Sequence, residues 1–172
     1  MSVWSKLRFW KFTLYRRMML LRLLFCGNGR ARANLLRKKS IFGSIGVNCW
    51  YEPVKLPSEP QLVYLGDNVN IATDVAILNH DIMSMMINNI PDTKKCKIRR
   101  GGVHIGNNVF IGGRSVILYD VTIGDNVIIG AGSVVTRDVP SGSVAVGCPA
   151  RIIGHFVDSV GRFIEVNKTE AN

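Results

Sequence analysis

From residue 105 onward an aliphatic side chain returns at every sixth position: Ile105, Ile111, Ile117, Ile123, Ile129 and Val135. The same spacing occurs earlier at Leu65, Ile71 and Ile77. Two residues before them runs a second series, Val69, Val75, Val109, Ser115, Val121, Val127 and Ser133. Residues two apart on a strand share a face, so Val109 and Ile111 point inward together, as do Val127 and Ile129. Turn formers separate the pairs at Asp67-Asn68, Asn107-Asn108 and Asp125-Asn126. An amphipathic helix would need a 3.6-residue period, which this stretch lacks. The pattern predicts short strands and tight corners repeating around a narrow core of small, mostly β-branched residues.

The register runs to Ile77, Leu78, Asn79 and His80 and then stops. It resumes at Val103 and Ile105, and the 28-residue step from Ile77 to Ile105 is not a multiple of six. Residues 82–102 therefore leave the coil as a loop carrying Pro91, Asp92, Lys94, Lys95, Lys97, Arg99 and Arg100. A loop of that length in a compact domain is usually functional or mobile. His80 stands at the corner just before it, where a side chain projects outward. Position alone leaves a catalytic histidine and an inconsequential surface one about equally plausible.

The run from Ile105 to Val116, IGNNVFIGGRSV, resembles the hexapeptide-repeat acyltransferases, and the likeness extends over residues 41–156. The resemblance implies a mainly β fold, a left-handed parallel β-helix with three strands per coil, an exception to the right-handed crossover rule. With three strands per coil, the outward residues Phe110 and Ile128 stack on one face of the prism, and Val116 and Val134 on another. Such apolar columns predict subunit contacts, and the family forms homotrimers with active sites between neighbouring prisms.

The family resemblance also makes His80 the expected catalytic residue, through the phrase Ile77-Leu78-Asn79-His80-Asp81. Transfer of an acyl group from a thioester to a hydroxyl needs a base, and an imidazole, with an ordinary pKa near ~6.5, suits that work. One ring nitrogen must face the acceptor while an oxygen holds the other. Asp81, Asp92, Glu59 or a backbone carbonyl could supply that oxygen. Asn79 would position the acceptor or support the oxyanion, and Asp81 would support the site. No Ser or Cys lies in a nucleophile motif, which favours direct transfer over an acyl-enzyme.

On the donor side, the resemblance assigns Gly113 and Ala131 to the path of the pantetheine arm of acetyl-CoA and Thr136-Arg137 to its nucleotide end. The segment Gly147 to Gly154 resembles the family's terminal G-x-P-A-[KR] motif, with Arg151 meeting a phosphate. Each has a bland counterpart: small residues fit corners, and Arg151 could cap the prism. The chain departs from the family at Phe110, often Trp in relatives, and at Gly113, more often Ala or Ser.

Charge divides the chain. Residues 1–40 hold eleven Lys or Arg and no acid, whereas the other 132 residues hold eleven bases against twelve acids. The high pI of about 9.9 thus belongs to a basic arm, and no nucleic-acid partner is expected. Leu7, Trp10, Leu14, Met18, Leu21 and Phe25 form one stripe of a helix in that arm. Two readings stand open: a helix packed on its own trimer, closing the open end of the prism, or one lying on an anionic membrane through residues 1–30. Frequent cations leave neither a signal peptide nor a ~20-residue apolar span. Cys26, Cys49, Cys96 and Cys148 show no paired or zinc-finger spacing and read as reduced thiols of a cytoplasmic protein, with no metal expected. His104 should point outward, and His155 has no assigned role.

The expected layout is a helical arm over 1–40, a β-helix catalytic domain over 41–156 and a C-terminal tail over 157–172. The expected activity is acyl-CoA-dependent O-acylation, most often acetylation, of a sugar or polysaccharide precursor. An antibiotic-modifying acetyltransferase is the alternative enzyme. A non-catalytic β-helix scaffold is the alternative from another class, and a zinc hydratase is disfavoured because His80 and His104 lack a third partner.

Overall fold

A computed structural model describes residue 14 and residues 17–170. Among the described residues, thirteen short strands form a left-handed parallel β-helix with three faces. The first face stacks β1 (Ser44–Ile45), β3 (Val63–Leu65), β6 (Val103–Ile105) and β9 (Val121–Ile123). The second stacks β2 (Trp50–Tyr51), β4 (Val69–Ile71), β7 (Val109–Ile111), β10 (Val127–Ile129), β12 (Ser143–Val146) and β13 (Arg151–His155). The third stacks β5 (Ala76–Ile77), β8 (Val116–Ile117) and β11 (Val134–Val135). Pairings between these strands are parallel except β12 with β13, which ends the second face.

Register follows the sequence period. Val109 pairs with Val127 and Ile111 with Ile129, both fully inside, while Phe110 lies on Ile128 and Val116 on Val134, on the outside. The two serines of the inner series are satisfied in the core. Ser115 Oγ donates to a carbonyl of Gly112 or Gly130, at 2.8 and 3.0 Å, and Ser133 Oγ donates to Gly130 at 2.7 Å. A valine fills the same space without needing a partner, so the two residue types alternate freely there.

The corners explain the polar residues. Asn48, Asn68, Asn108 and Asn126 each adopt positive φ between the first and second faces, a conformation Asn tolerates better than most residues. Their side chains form a ladder, with Asn68 Nδ2 donating to Asn108 Oδ1 and Asn108 Nδ2 to Asn126 Oδ1, each at 3.0 Å. Asp74, Arg114 and Gly132 form the equivalent column between the second and third faces. Glycine follows the aliphatic position because the next coil lies against it: a Cβ at Gly112 would run into the backbone of Ala131.

Helix α1 (Gly29–Lys38) closes the N-terminal end of the prism. Asn28 caps it by accepting from Ala31 N, Ala33 and Leu36 bury against the coil, and Gly29 gives room to the Trp50 indole. Before it, residues 17–24 are helical and pack through Met19 and Leu23. Arg32 ties the pieces together, donating to Leu23 O at 3.0 Å and to Glu52 Oε1 at 2.8 Å. At the other end the chain forms helix α3 (Phe156–Glu170). Its Phe156, Val160 and Phe163 face Phe110 and Ile128 across an apolar groove of about 600 Å³.

Candidate active site

The excursion leaves the corner between the third and first faces. It opens with Asp81, forms one short helix, α2 (Met83–Ile87), and returns through Arg99 and Arg100. Its root is zipped shut: His80 and Arg100 make an antiparallel bridge, and Gly101 N donates to Asn79 O at 2.8 Å. This pairing lets the strands on either side keep their register with the next coil.

The His80 side chain is about three-quarters buried, and its Nδ1 lies 2.7 Å from Glu59 Oε2. Glu59 precedes β3, so it occupies the same corner one coil earlier. The other Glu59 oxygen lies 3.4 Å from Arg100 Nε. With Nδ1–H donated to a carboxylate, the Nε2 lone pair is left for a proton. Of the oxygens the sequence offered, Glu59 makes this contact. The Asp81 carboxylate is engaged elsewhere, accepting from Met83 N at 3.1 Å and from the Tyr119 hydroxyl at 2.8 Å. That bond pushes the Tyr119 titration upward. The Arg99 guanidinium lies over the Tyr119 ring, 5.1 Å from its centroid, and pairs with Asp120 at 3.1 Å. Asp92 is exposed at a positive-φ turn of the excursion.

Asn79 is 1% exposed, and neither atom of its amide has a hydrogen-bond partner among the described residues. Such a group costs about 1–3 kcal/mol, and it lies one residue before the histidine.

The donor-side candidates fall on two edges. Thr136 and Arg137 are exposed on the His80 edge, two coils further on. Gly113 and Ala131 stack on the opposite edge of the third face, where Gly132 N donates to Gly113 O at 2.9 Å. Arg151 opens β13, exposed, with Nη1 turned back to Ala150 O at 2.9 Å. The turn before it caps the third face, because Val134 N donates to Gly147 O and Ala150 N to Val134 O, at 2.9 and 2.8 Å. One chain thus unites His80, Glu59 and Arg100 but keeps the two donor-side groups a face apart.

Sequence reasoning left Glu59 among alternatives and missed Arg100 and Tyr119 as partners. The signal for all three is coil position: each lies at, or returns to, the corner that His80 occupies. His104 stacks on Tyr64 with ring centroids 4.5 Å apart, while His155 is exposed on β13. No group of three His, Cys, Asp or Glu side chains able to hold a metal occurs among the described residues. The four cysteines are free thiols.

The family model for the bacterial transferase hexapeptide (six repeats) matches residues 102–137. Among solved structures, the chain is similar to a maltose O-acetyltransferase from Clostridium difficile 630. Identity is 29%, coverage 83% of this chain and 87% of that one, and TM-score 0.56. It is also similar to a galactoside acetyltransferase in complex with coenzyme A, with 28% identity, 83% and 80% coverage, and TM-score 0.58. A hexapeptide-repeat acetyltransferase from Vibrio cholerae, complexed with acetyl coenzyme A, shares the fold at 22% identity, 82% and 85% coverage, and TM-score 0.61. No curated protein sequence matches. The chain thus carries hexapeptide repeats over residues 102–137 and shares the left-handed β-helix fold of these acetyltransferases.

Proposed function

We propose that this protein is an acyl-CoA-dependent O-acyltransferase, using acetyl-CoA to acetylate a sugar or glycan precursor, with His80 as general base. The observation that carries the reading is the 2.7 Å contact from His80 Nδ1 to Glu59 Oε2, beside a zipped excursion on the prism edge. The similar proteins of known activity include transferases of acetyl groups to maltose and galactosides.

Acetyl-CoA, when bound, supplies the activated acyl group. His80 Nε2 takes the proton of the acceptor hydroxyl as that oxygen bonds to the acyl carbon. The same proton goes on to the sulfur as the carbon–sulfur bond breaks, so the products are an ester and a free thiol. Glu59 fixes the ring and stabilises the imidazolium between the two transfers. Arg100 holds Glu59 from its other side, Asp81 fixes the excursion onto Tyr119, and the Asn79 backbone carbonyl accepts from Gly101 N at its root.

The donor side fits a long, thin, anionic molecule. Ala131 is exposed, and neither it nor Gly113 carries a side chain beyond Cβ, so neither obstructs an edge. The exposed cations Arg137 and Arg151 would meet phosphates, and Thr136 the nucleotide end. Because these groups span two edges of one prism, a neighbouring copy would complete the site. Exposed Phe110 and half-buried Val116, Ile128 and Val134 support a homotrimer. An acyl-CoA donor implies work in the cytoplasm.

A thermal shift with acetyl-CoA, followed by thiol release against maltose, galactosides and glycan precursors, tests the reading. A stabilising shift and acceptor-dependent thiol release are expected. No shift together with no release from any acceptor would overturn it.

A further inference from the structure

The two readings of the basic arm turn out to concern opposite sides of one helix. In residues 17–24 the buried side is Met19 and Leu23, four residues apart and almost fully covered. At 100° per residue, Met18, Leu21 and Phe25 fall within an arc of about 60° on the other side. All three are exposed, Leu21 by 55% and Phe25 by 87%, and so is Leu14. Arg17 borders this stripe on one side and Arg22 on the other, and both are exposed. The segment is held in this orientation from behind, by the Arg32 clamp between Leu23 O and Glu52.

We propose that this outward stripe docks the protein on the surface of an anionic phospholipid bilayer. An apolar ridge between two arginines matches an interfacial helix, whose hydrocarbon enters the acyl boundary while the guanidinium groups stay at headgroup level. The charge pattern selects the partner. The arm has eleven cations and no acid, and its contact acid, Glu52, is already paired with Arg32 at 2.8 Å. Further exposed cations, Arg30, Arg37, Lys38 and Lys39, lie on and just after α1 at the same end of the prism. A second copy of the arm would be repelled, whereas an anionic leaflet attracts every one of these groups. No helix among the described residues is long and apolar enough to cross a membrane, so the contact is a surface one. It would hold a cytoplasmic enzyme beside glycan acceptors carried on lipid.

Co-sedimentation of the full chain with vesicles tests this without reference to activity. Binding to phosphatidylcholine vesicles containing about a third phosphatidylglycerol should exceed binding to phosphatidylcholine alone by about tenfold or more, and should fall with salt. Leu21→Glu with Phe25→Glu should abolish it, with melting temperature and oligomeric state unchanged. Should that variant fail to fold, Arg17→Gln with Arg22→Gln leaves the apolar contacts intact and should weaken binding about fivefold per charge removed. Absent binding, equal binding to neutral vesicles, or full binding by the arginine variant would overturn the proposal. So would dissociation of the assembled protein by Leu21→Glu with Phe25→Glu, which would make a second copy the occupant.

Discussion

The corner between the third and first faces is built twice in succession, by different means. From Ile117 to Val121 the chain closes it with Leu118, Tyr119 and Asp120, the last at positive φ. From Ile77 to Val103, one coil earlier, the same turn takes the twenty-five residues 78–102. The strands on either side are in identical register, Ile77 on Ile117 and Val103 on Val121. The extra chain therefore contributes nothing the prism needs. It replaces a tight turn with a His80–Arg100 bridge, and in doing so brings an arginine and a histidine onto Glu59. The short corner serves the fold, and the long one assembles His80, Glu59 and Arg100.

The sharpest separation of the two comes from His80→Ala. Turnover should fall about 10²–10⁴-fold, the usual range for losing a general base, while the melting temperature and the thermal shift with acetyl-CoA stay as in the parent. A variant that keeps its rate would remove the chemistry from this corner. Ile111→Ala should show the opposite profile. Ile111 is fully buried on β7, and its truncation should cost about 2–5 kcal/mol of unfolding free energy, read by denaturant titration.

Glu59→Gln keeps the shape but loses the charge that stabilises the imidazolium. A fall of about 10–100-fold in kcat, part of the general-base factor, is expected, with little change in the KM for acetyl-CoA. An effect confined to KM would make Glu59 a binding residue instead. Arg100→Ala removes a half-exposed partner at 3.4 Å, and about a two- to fivefold loss of rate should follow, as such exposed pairs contribute little. The smallest effect belongs to the excursion's outer part. Replacing residues 84–97 by a short glycine linker should move the unfolding free energy by less than about 1 kcal/mol, because longer loops add little closure entropy. A large loss of stability would show that the loop carries the prism after all.

The periodic body could be read almost whole from the chain. Each inward residue of the six-residue series is buried, and each Asn or Asp corner lies where the spacing put it. This legibility has a local cause: every coil repeats the same strand, corner and backbone approach, so neighbours in sequence specify neighbours in space. The break in the repeat also marked His80 as the corner residue, though position alone left its role open. Its partner was not legible. Glu59 lies twenty-one residues away, and Asp81 and Asp92 were equally good acids on composition. Only the winding of the coil puts Glu59 at the same corner, while Tyr119 draws Asp81 aside.

The two termini show the same limit. The stripe of Leu14, Met18, Leu21 and Phe25 is evident at helical spacing, with Leu7 and Trp10 of that stripe outside the described residues. Yet the side that packs is Met19 and Leu23, chosen by the end of the prism and by Arg32. At the other end Phe156, Val160 and Phe163 stand at helical spacing across the expected boundary between the β-helix domain and the tail, but only the folded prism, through Phe110 and Ile128, gives that helix a surface to face.

By itself, then, the sequence determined the period, the three-sided coil once its family likeness was seen, the corners and the point of interruption. All of these arise from contacts repeated every six or eighteen residues. The tertiary structure alone decided which carboxylate meets His80, which face of the arm turns outward, and that the candidate donor-side residues are divided between two edges. Those outcomes depend on where distant segments arrive after winding, a quantity that no local spacing contains.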